Sequence, residues 1–562
     1  MQIHGVMKNT FAALRRTILL VLFASISSAQ TPTTADTIRF LEQSTFGPNL
    51  GLINHVQAIG FDAFLTEQFN TTATPISGYP SLPLQQNTVP TTCTGICETD
   101  NYTMYPLQVT FFTNALTKPD QLRQRVAFAL QQIMVTSGLS VTQPSWMTPY
   151  LNVLSNDAFE NFRTILGDIT LNPAMGIYLN MAGNNKGAPN ENYGRESMQL
   201  FTVGLNMLNQ DGSLILDANN NPIPTYTQPT VDAFARVFTG WNLKTASVAG
   251  TSDYLDPMVV TASNHDFGAK TLLTYGSGPV VIPAVTATAS QTAAEATSEL
   301  NTALDDMFNH PNVGPFIARN LIEHLVTSNP SPGYISRVAG VFNSNTSGVR
   351  GDMQAVIRAI LEDPEARSAT PVPGGIPGHL TEPALFVSKF LRLFNTTSAT
   401  TDFVLTDAYL SSELIMGESL FLSPSVFNYY PPSYTIPNTT INGPEFDLQS
   451  TSSAYARVNF VAETVYKTMS TTASSTTNDY RPTGTWIDFT SPTSFYVTMG
   501  SPSTPFAITG LLNTYILHGA MSPSLRAIVN NALSSMTGSS GVSMFQRAVY
   551  LVASSPEYFV QQ

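Results

Sequence analysis

The chain has 562 residues, 43% hydrophobic and only 11% charged, with 38 acids against 25 lysines and arginines and a net charge of −13. That length and apolar content suffice for large cores and for two to four domains of ordinary size. No cluster of Lys and Arg occurs along the chain, so the counterion release that drives duplex binding has nothing to act through, and nucleic acid is excluded as a partner.

Residues 1–29 open with Lys8, Arg15 and Arg16, continue in an apolar run from Thr17 to Ala24, and end on Ser27-Ser28-Ala29. That is the pattern of a secretory signal peptide with small residues before the cut. Cleavage removes three cations and no acid, taking the net charge from −13 to −16. Such a surface suits neutral or cationic partners better than anionic ones. The leader's apolar run is shorter than the roughly 18 to 20 residues a span requires, and no later segment reaches that length, so no membrane span is expected after cleavage. The expected location is the periplasm or the extracellular medium.

The only cysteines, Cys93 and Cys97, sit four apart in a Thr-rich loop. In an oxidising compartment they are expected to pair, whereas a metal site would need further ligands that the neighbours do not supply. No metal site is therefore assigned. From Asp120 to Thr136, Leu122, Val126, Ala129, Leu130, Ile133 and Met134 recur at helical spacing opposite Arg123, Gln124 and Gln131, which predicts an amphipathic helix. Turn residues at 209–213 and 217–222 flank Leu214-Ile215-Leu216 and predict a β-hairpin. Asp217, Asn219 and Asn221 alternate as in some calcium loops, but Pro222 stands where an EF-hand needs glycine, which favours a plain turn. Residues 245–290 lack helical period and read as an irregular or β-containing insertion.

Further helices are predicted along Val313, Ile317, Leu321 and Leu325; from Asp352 to Glu362; and from Thr381-Glu382-Pro383 through Phe386, Phe390 and Phe394. Residues 396–406 and 468–500 are Ser- and Thr-rich and read as surface loops or linkers. The last 60 residues return to helix. The fold class expected is mainly α: a large multi-helix globular fold with a short β-hairpin and irregular insertions. It divides into an N-terminal helical region over 30–395 and a C-terminal helical region with polar loops over 396–562.

Several long motifs stand out in order. They are Thr45-Phe46-Gly47-Pro48; the run Asn190-Glu191-Asn192-Tyr193-Gly194-Arg195-Glu196-Ser197-Met198-Gln199-Leu200-Phe201-Thr202-Val203-Gly204; and Tyr226-Thr227-Gln228 followed by Asp232, Ala235-Arg236 and Thr239-Gly240-Trp241. His265-Asp266 with Lys270-Thr271-Leu272-Leu273, His310-Pro311, Ser423-Pro424-Ser425-Val426-Phe427-Asn428 and a terminal Ser555-Pro556-Glu557-Tyr558 complete the set. Together they resemble the bacterial domain of unknown function 1800 family over almost the whole mature chain. The resemblance implies a large, exported, mostly helical protein without an established activity. The sequence departs from the family's usual pattern in Ser197 and Gln199, which stand where an aliphatic residue and an acid are common, so no carboxylate role attaches to position 199.

The densest polar group is the helix opening near Pro189 and Asn190, where Asn192, Arg195, Glu196 and Gln199 form one stripe with Glu191 at its margin. Asp232 and Arg236 lie four apart on a helix opened by Thr227 and Pro229. Two readings are open. In one, Glu191 or Glu196 serves as general acid or base, Arg195 or Arg236 holds an anionic group, and Asn190, Asn192, Asp232 and Trp241 line the ligand site. In the other, Glu191 with Arg195 and Asp232 with Arg236 are helix ion pairs and Asn190 is a cap. Gly194 and Gly204 would let a backbone or a ligand approach closely.

His265-Asp266 is a second catalytic candidate, as base or ligand, against a reading in which Asp266 caps the turn before Gly268. His310 and His324 read as structural, and His379 and His518 have no partner visible in sequence. Trp146 and Trp241 could stack on a glycan. No nucleophile elbow, zinc helix, phosphate loop or dinucleotide fingerprint occurs, and no cofactor is indicated. Two functions remain. One is a binding or assembly role at the envelope or outside the cell, with a glycan or a co-exported protein as partner and an exposed apolar patch as its mark. The other is an enzyme acting on extracellular polysaccharide by carboxylate acid and base chemistry.

Overall fold

The computed structural model of the chain describes residues 31–245, 251–368, 370, 373–398, 416–466 and 485–561. The leader therefore lies outside the described residues, as does most of the 396–406 segment. The chain is 51% helical, and every sheet among the described residues has only two strands, which makes the fold mainly α. No described helix is long and apolar enough to cross a membrane.

A recurring local device starts these helices. A short polar residue caps the free amides while a proline with its fixed φ takes the first helical position. Asn172-Pro173, Ser331-Pro332, Asp363-Pro364, Thr504-Pro505 and Ser522-Pro523 all work this way, each cap oxygen accepting from an amide two or three residues on. Asp352 caps its helix in the same manner, accepting from the Ala355 amide at 3.2 Å.

The helix predicted from Asp120 spans Gln121–Ile133, but its polar side does not face water: all thirteen residues are buried. It runs through the middle of the molecule, packed by helices Thr34–Ser44, Phe61–Phe69, Tyr105–Thr117, Pro144–Asn156 and Val313–Leu325. Its polar side chains serve other elements instead of solvent. Arg123 donates to the carbonyls of Ser155 and Asn156 at 2.9 and 2.8 Å, closing the end of the neighbouring helix, and Gln124 donates to the Ser77 carbonyl at 2.6 Å.

The predicted hairpin forms, with Asn206 opposite Pro224, Leu208 opposite Leu214 and Leu216 opposite Pro222. Asp217 accepts from the Asn219 and Asn221 amides at 2.8 and 2.9 Å, the plain turn. The insertion after 240 carries three small antiparallel pairs, Trp241–Asn242 with Val259–Val260, Lys244–Thr245 with Ser252–Asp253, and Lys270–Tyr275 with Gly278–Ile282. Cys93 and Cys97 form a disulfide pair with Cα atoms 5.2 Å apart.

One expectation is corrected. Of the polar stretch 468–500, residues 487–496 do not loop over the surface: Ile487, Phe489, Phe495 and Tyr496 are buried. The two phenylalanines pack edge-on against Phe394, and Phe489, Phe495 and Tyr496 all meet Phe545. Ser- and Thr-rich composition hid this apolar knot, because the hydroxyls cap and turn the backbone around it; Ser494, for example, accepts from the Val497 amide at 3.2 Å.

A connected apolar core runs from Ile38 to Phe559. His379–Leu380 pair with Val560–Gln561 near the chain's end. Across the same seam, buried Glu42 sits 3.6 Å from Lys389 and 3.4 Å from His518. Burial pushes the Glu42 carboxyl up, but the Lys389 charge, followed by His518, outweighs it and holds the group down at about 2. A folded value depressed from 4.5 contributes stability above the unfolded value and loses it as pH falls towards 2. Acid titration of unfolding should therefore show about 3 kcal/mol disappearing between roughly pH 5 and pH 2. The Glu42→Gln variant should lack that component and be less stable at neutral pH by about 3 kcal/mol, because Lys389 is left buried without its partner.

Candidate functional site

The residues singled out by sequence separate into three places. Helix Asn192–Gln199 lies close on helix Gln228–Val237 at Gly194, where a Cβ would meet the Ala235 nitrogen at 3.2 Å and the Phe234 Cβ at 3.3 Å. The close approach is thus of one helix to another. On the outer side, Arg195 and Gln228 donate to Glu191 at 2.6 and 3.0 Å, and Gln228 also donates to Asp232 at 2.7 Å. Asn190 accepts from the Asn192 amide at 2.9 Å, turning the chain into the helix, and Asn192 donates to Asn180 at 3.0 Å. Glu196 turns inward and is buried; burial raises its pKa against the opposing charge of Arg195, and its Oε2 has no partner.

The expected Asp232–Arg236 pair does not form. Arg236 instead donates twice to Asp266, at 2.8 and 3.0 Å, while Asp232 takes Gln228. A two-pronged guanidinium–carboxylate contact between elements is stronger than an exposed pair one helical turn apart. The Arg236 hydrogen bond, with the Gly268 amide at 2.8 Å as a further donor, holds Asp266 at about 2.

His265 is fully buried, its ring nitrogens 2.8 Å from the Thr239 carbonyl and 3.2 Å from Glu299, which Lys270 also meets at 2.5 Å. Trp241 is 3% exposed and Trp146, stacked on Tyr254 at 3.8 Å, is 6% exposed, so neither ring offers solvent a free stacking face. Among the described residues no group of three or more His, Cys, Asp or Glu is placed to hold a metal ion.

A cleft of about 500 Å³ opens elsewhere. Of the candidate helix only the end, Gln199 with Leu200, reaches it, followed by Gly204. One wall is a single face of helix Val313–Leu325. Phe316, Arg319, Asn320, Glu323 and His324 stand at the three- and four-residue intervals that bring side chains to one side. Leu205, Leu208 and Leu214 of the hairpin, Val426, Phe427 and Tyr430 of a loop, and Glu445 complete the walls, over Gln132 and Ile133.

Asn312, just before the wall helix, fixes the hairpin to it. Its amide donates to the carbonyls of Val203 and Asn206 at 2.9 and 2.8 Å, and its oxygen accepts from the Leu208 amide at 3.0 Å. Gly204, at φ +71, turns the chain where the Phe316 ring would lie 3.0 Å from any Cβ. The mouth is apolar and open: Leu205, Leu214 and Phe427 are 57, 45 and 40% exposed.

Behind the cleft lies a buried ionisable network drawn from distant parts of the chain. Glu382 accepts from Gln132 at 2.9 Å and from the Tyr430 hydroxyl at 2.8 Å. Glu418, buried in the same group, accepts from the Ala384 amide at 2.8 Å. Burial and then the charge of Glu382 push Glu418 well up, and burial raises Glu382 against the charge of Arg125. Arg125 is fully buried and donates to the His324 carbonyl. Glu445 accepts from His379 at 2.9 Å and Ser328 at 3.3 Å. Burial, aided by the Arg125 charge, pushes the His324 imidazole down to about 3, so it is neutral at ordinary pH.

Sequence reasoning had no handle on this group. Glu382 was visible only as a helix start, Tyr430 and Glu445 lie in loops without period, and no spacing connects residues 132, 324, 382 and 445.

Residues 39–560 match the family model described as "Protein of unknown function (DUF1800)". No curated protein and no solved structure matches the chain.

The hydroxyl of Tyr430 is the link between the cleft and the carboxyl pair. Tyr430→Phe removes a buried donor without changing the shape of the wall, and should lower unfolding free energy by about 1–2 kcal/mol in chemical denaturation. An unchanged denaturation midpoint would mean that the contact with Glu382 contributes nothing.

Proposed function

The chain belongs to the DUF1800 family, and we propose that it works outside the cytoplasm as a binding protein whose cleft receives a ligand with a hydrocarbon body. The observation that carries this reading is the cleft with its exposed apolar mouth, Leu205, Leu214 and Phe427 around a volume of about 500 Å³. Concave, mostly apolar sites with a few fixed polar groups are how small molecules are held. Large apolar side chains left exposed together mark interaction surfaces. Export is supported by the leader-type residues 1–29 and by the Cys93–Cys97 pair, which suits an oxidising compartment.

The apolar walls favour a hydrocarbon ligand over a bare glycan, and a co-exported protein could present the same chemistry as an apolar side chain. A second reading, carboxylate acid and base chemistry on an extracellular polysaccharide, draws on one observation. Glu323 and Glu445 line the same cleft; burial raises Glu323, and the Glu445 charge pushes it the same way. It differs from the first by turnover: release of reducing ends from a polysaccharide, abolished in Glu445→Gln, would replace the binding reading.

The binding reading is tested by displacement of the neutral dye Nile red. Leu205→Ser combined with Phe427→Ser alters two exposed side chains and should leave the melting temperature nearly unchanged while weakening dye and ligand binding by roughly tenfold. Full affinity in the double variant, or displacement by oligosaccharides in preference to amphiphiles, would overturn the reading.

A further inference from the structure

The wall helix Val313–Leu325 gives the cleft a direction. Phe316 sits beside Gly204 at the apolar end, under the hairpin leucines, and Glu323 lies seven residues on, roughly 10 Å along the axis. At that second end the polar side chains are Glu323, Glu445, Tyr430, Gln132 and Arg319.

Their hydrogen bonds settle what the end lacks. Gln132 gives one amide hydrogen to Glu382, and the Tyr430 proton goes to the same carboxyl, leaving an oxygen lone pair on the phenol. The two donors on Glu445, His379 and Ser328, already reach it. Arg319 donates through Nε to Oε1 of Glu323 at 2.8 Å, and Oε2 of Glu323 takes no hydrogen bond from the described residues. The remaining Arg319 nitrogens belong to a side chain 48% exposed at the rim. Asn428 has an amide nitrogen without a partner, but it is shielded from solvent. Glu323 and Glu445 thus bring two carboxyl groups to this end, where Arg319 pairs with Glu323 and the buried Arg125 counters Glu445 from behind; Oε2 of Glu323 and the Tyr430 oxygen are the acceptors left over. Tyr430 also lines this end, and aromatic rings attract cations.

Resting on the binding function proposed above, we infer that the cleft selects an amphipathic amine, its hydrocarbon body against Phe316 and the hairpin leucines and its ammonium group donating to Glu323. The ammonium supplies a donor for Oε2 of Glu323 and for the Tyr430 oxygen, and the net charge of −13 favours its approach. The inference concerns a small amine, since the cleft has the volume of a small-molecule site.

The test compares dodecylamine, dodecanol and dodecanoate, alike in their hydrocarbon body, as displacers of Nile red from the full mature chain. Dodecylamine is expected to bind roughly tenfold tighter than dodecanol, with dodecanoate weakest, because a charge-assisted hydrogen bond adds to the same apolar burial. In Glu323→Gln the preference for the amine over the alcohol should vanish while the alcohol binds as before. In Arg319→Gln, which removes the competing cation and leaves the carboxylate, the preference should persist or grow. Equal binding of amine and alcohol, or a preference that survives Glu323→Gln, overturns the amine inference alone. Failure of all three molecules to displace the dye overturns the binding function as well.

Discussion

A charge removed from water must be paired or neutralised, and that constraint shapes the middle of this protein. Arg125 stands in the fully buried central helix with no solvent to serve it, and the groups that answer its charge come from far along the chain: Glu382, Tyr430, Glu418 and Glu445. These groups sit at the start of helix Pro383–Leu393, in the 416–430 segment and in the turn at 444–448, so the field that counters one guanidinium comes from three distant segments. Glu382 and Glu418, each buried, answer the same constraint in another way, because burial raises both and so favours their neutral forms. Arg457 donates to the Thr381 carbonyl at 2.9 Å and lies over Phe386, closing the group from the far side.

The cleft is the outer surface of that network. Its wall helix is fixed to the central helix through Arg125 and the His324 carbonyl, and the hairpin is fixed to the wall helix through Asn312. The polar end of the cleft is thus held by buried hydrogen bonds, and the apolar end by a hairpin whose leucines remain exposed. Fixed polar groups below an exposed apolar mouth are a suitable arrangement for an amphipathic ligand, because orientation is set by the floor and length is tolerated at the open rim.

Much of the fold was legible because its signals are local. Apolar spacing marked the helices at 121–133, 313–325, 353–361 and 383–393, and turn residues marked the hairpin. Where burial overrode composition, the sequence misled. Arg123, Gln124 and Gln131 look like a wet helix face but bind neighbouring backbones or sit within the packing, and Phe489 and Phe495 are concealed among Ser and Thr. The Arg236–Asp266 pair, thirty residues apart, displaced the nearer Asp232 for the same reason: a contact between elements is invisible to periodicity. The candidate site suffered most. The signature run 190–204 does reach the cleft, through Gln199 and Gly204, but the carboxylates and the tyrosine that define its polar end are brought together only by tertiary packing.

Amide hydrogen exchange with and without dodecylamine addresses the location of binding most directly. Slowed exchange should appear in the hairpin at 205–216, the wall helix at 313–325 and the segment 426–445, the three elements that line the cleft. Protection confined to 191–199 and 228–237, the outer polar helices, with the cleft segments unchanged while the amine is bound, would contradict the assignment of the site.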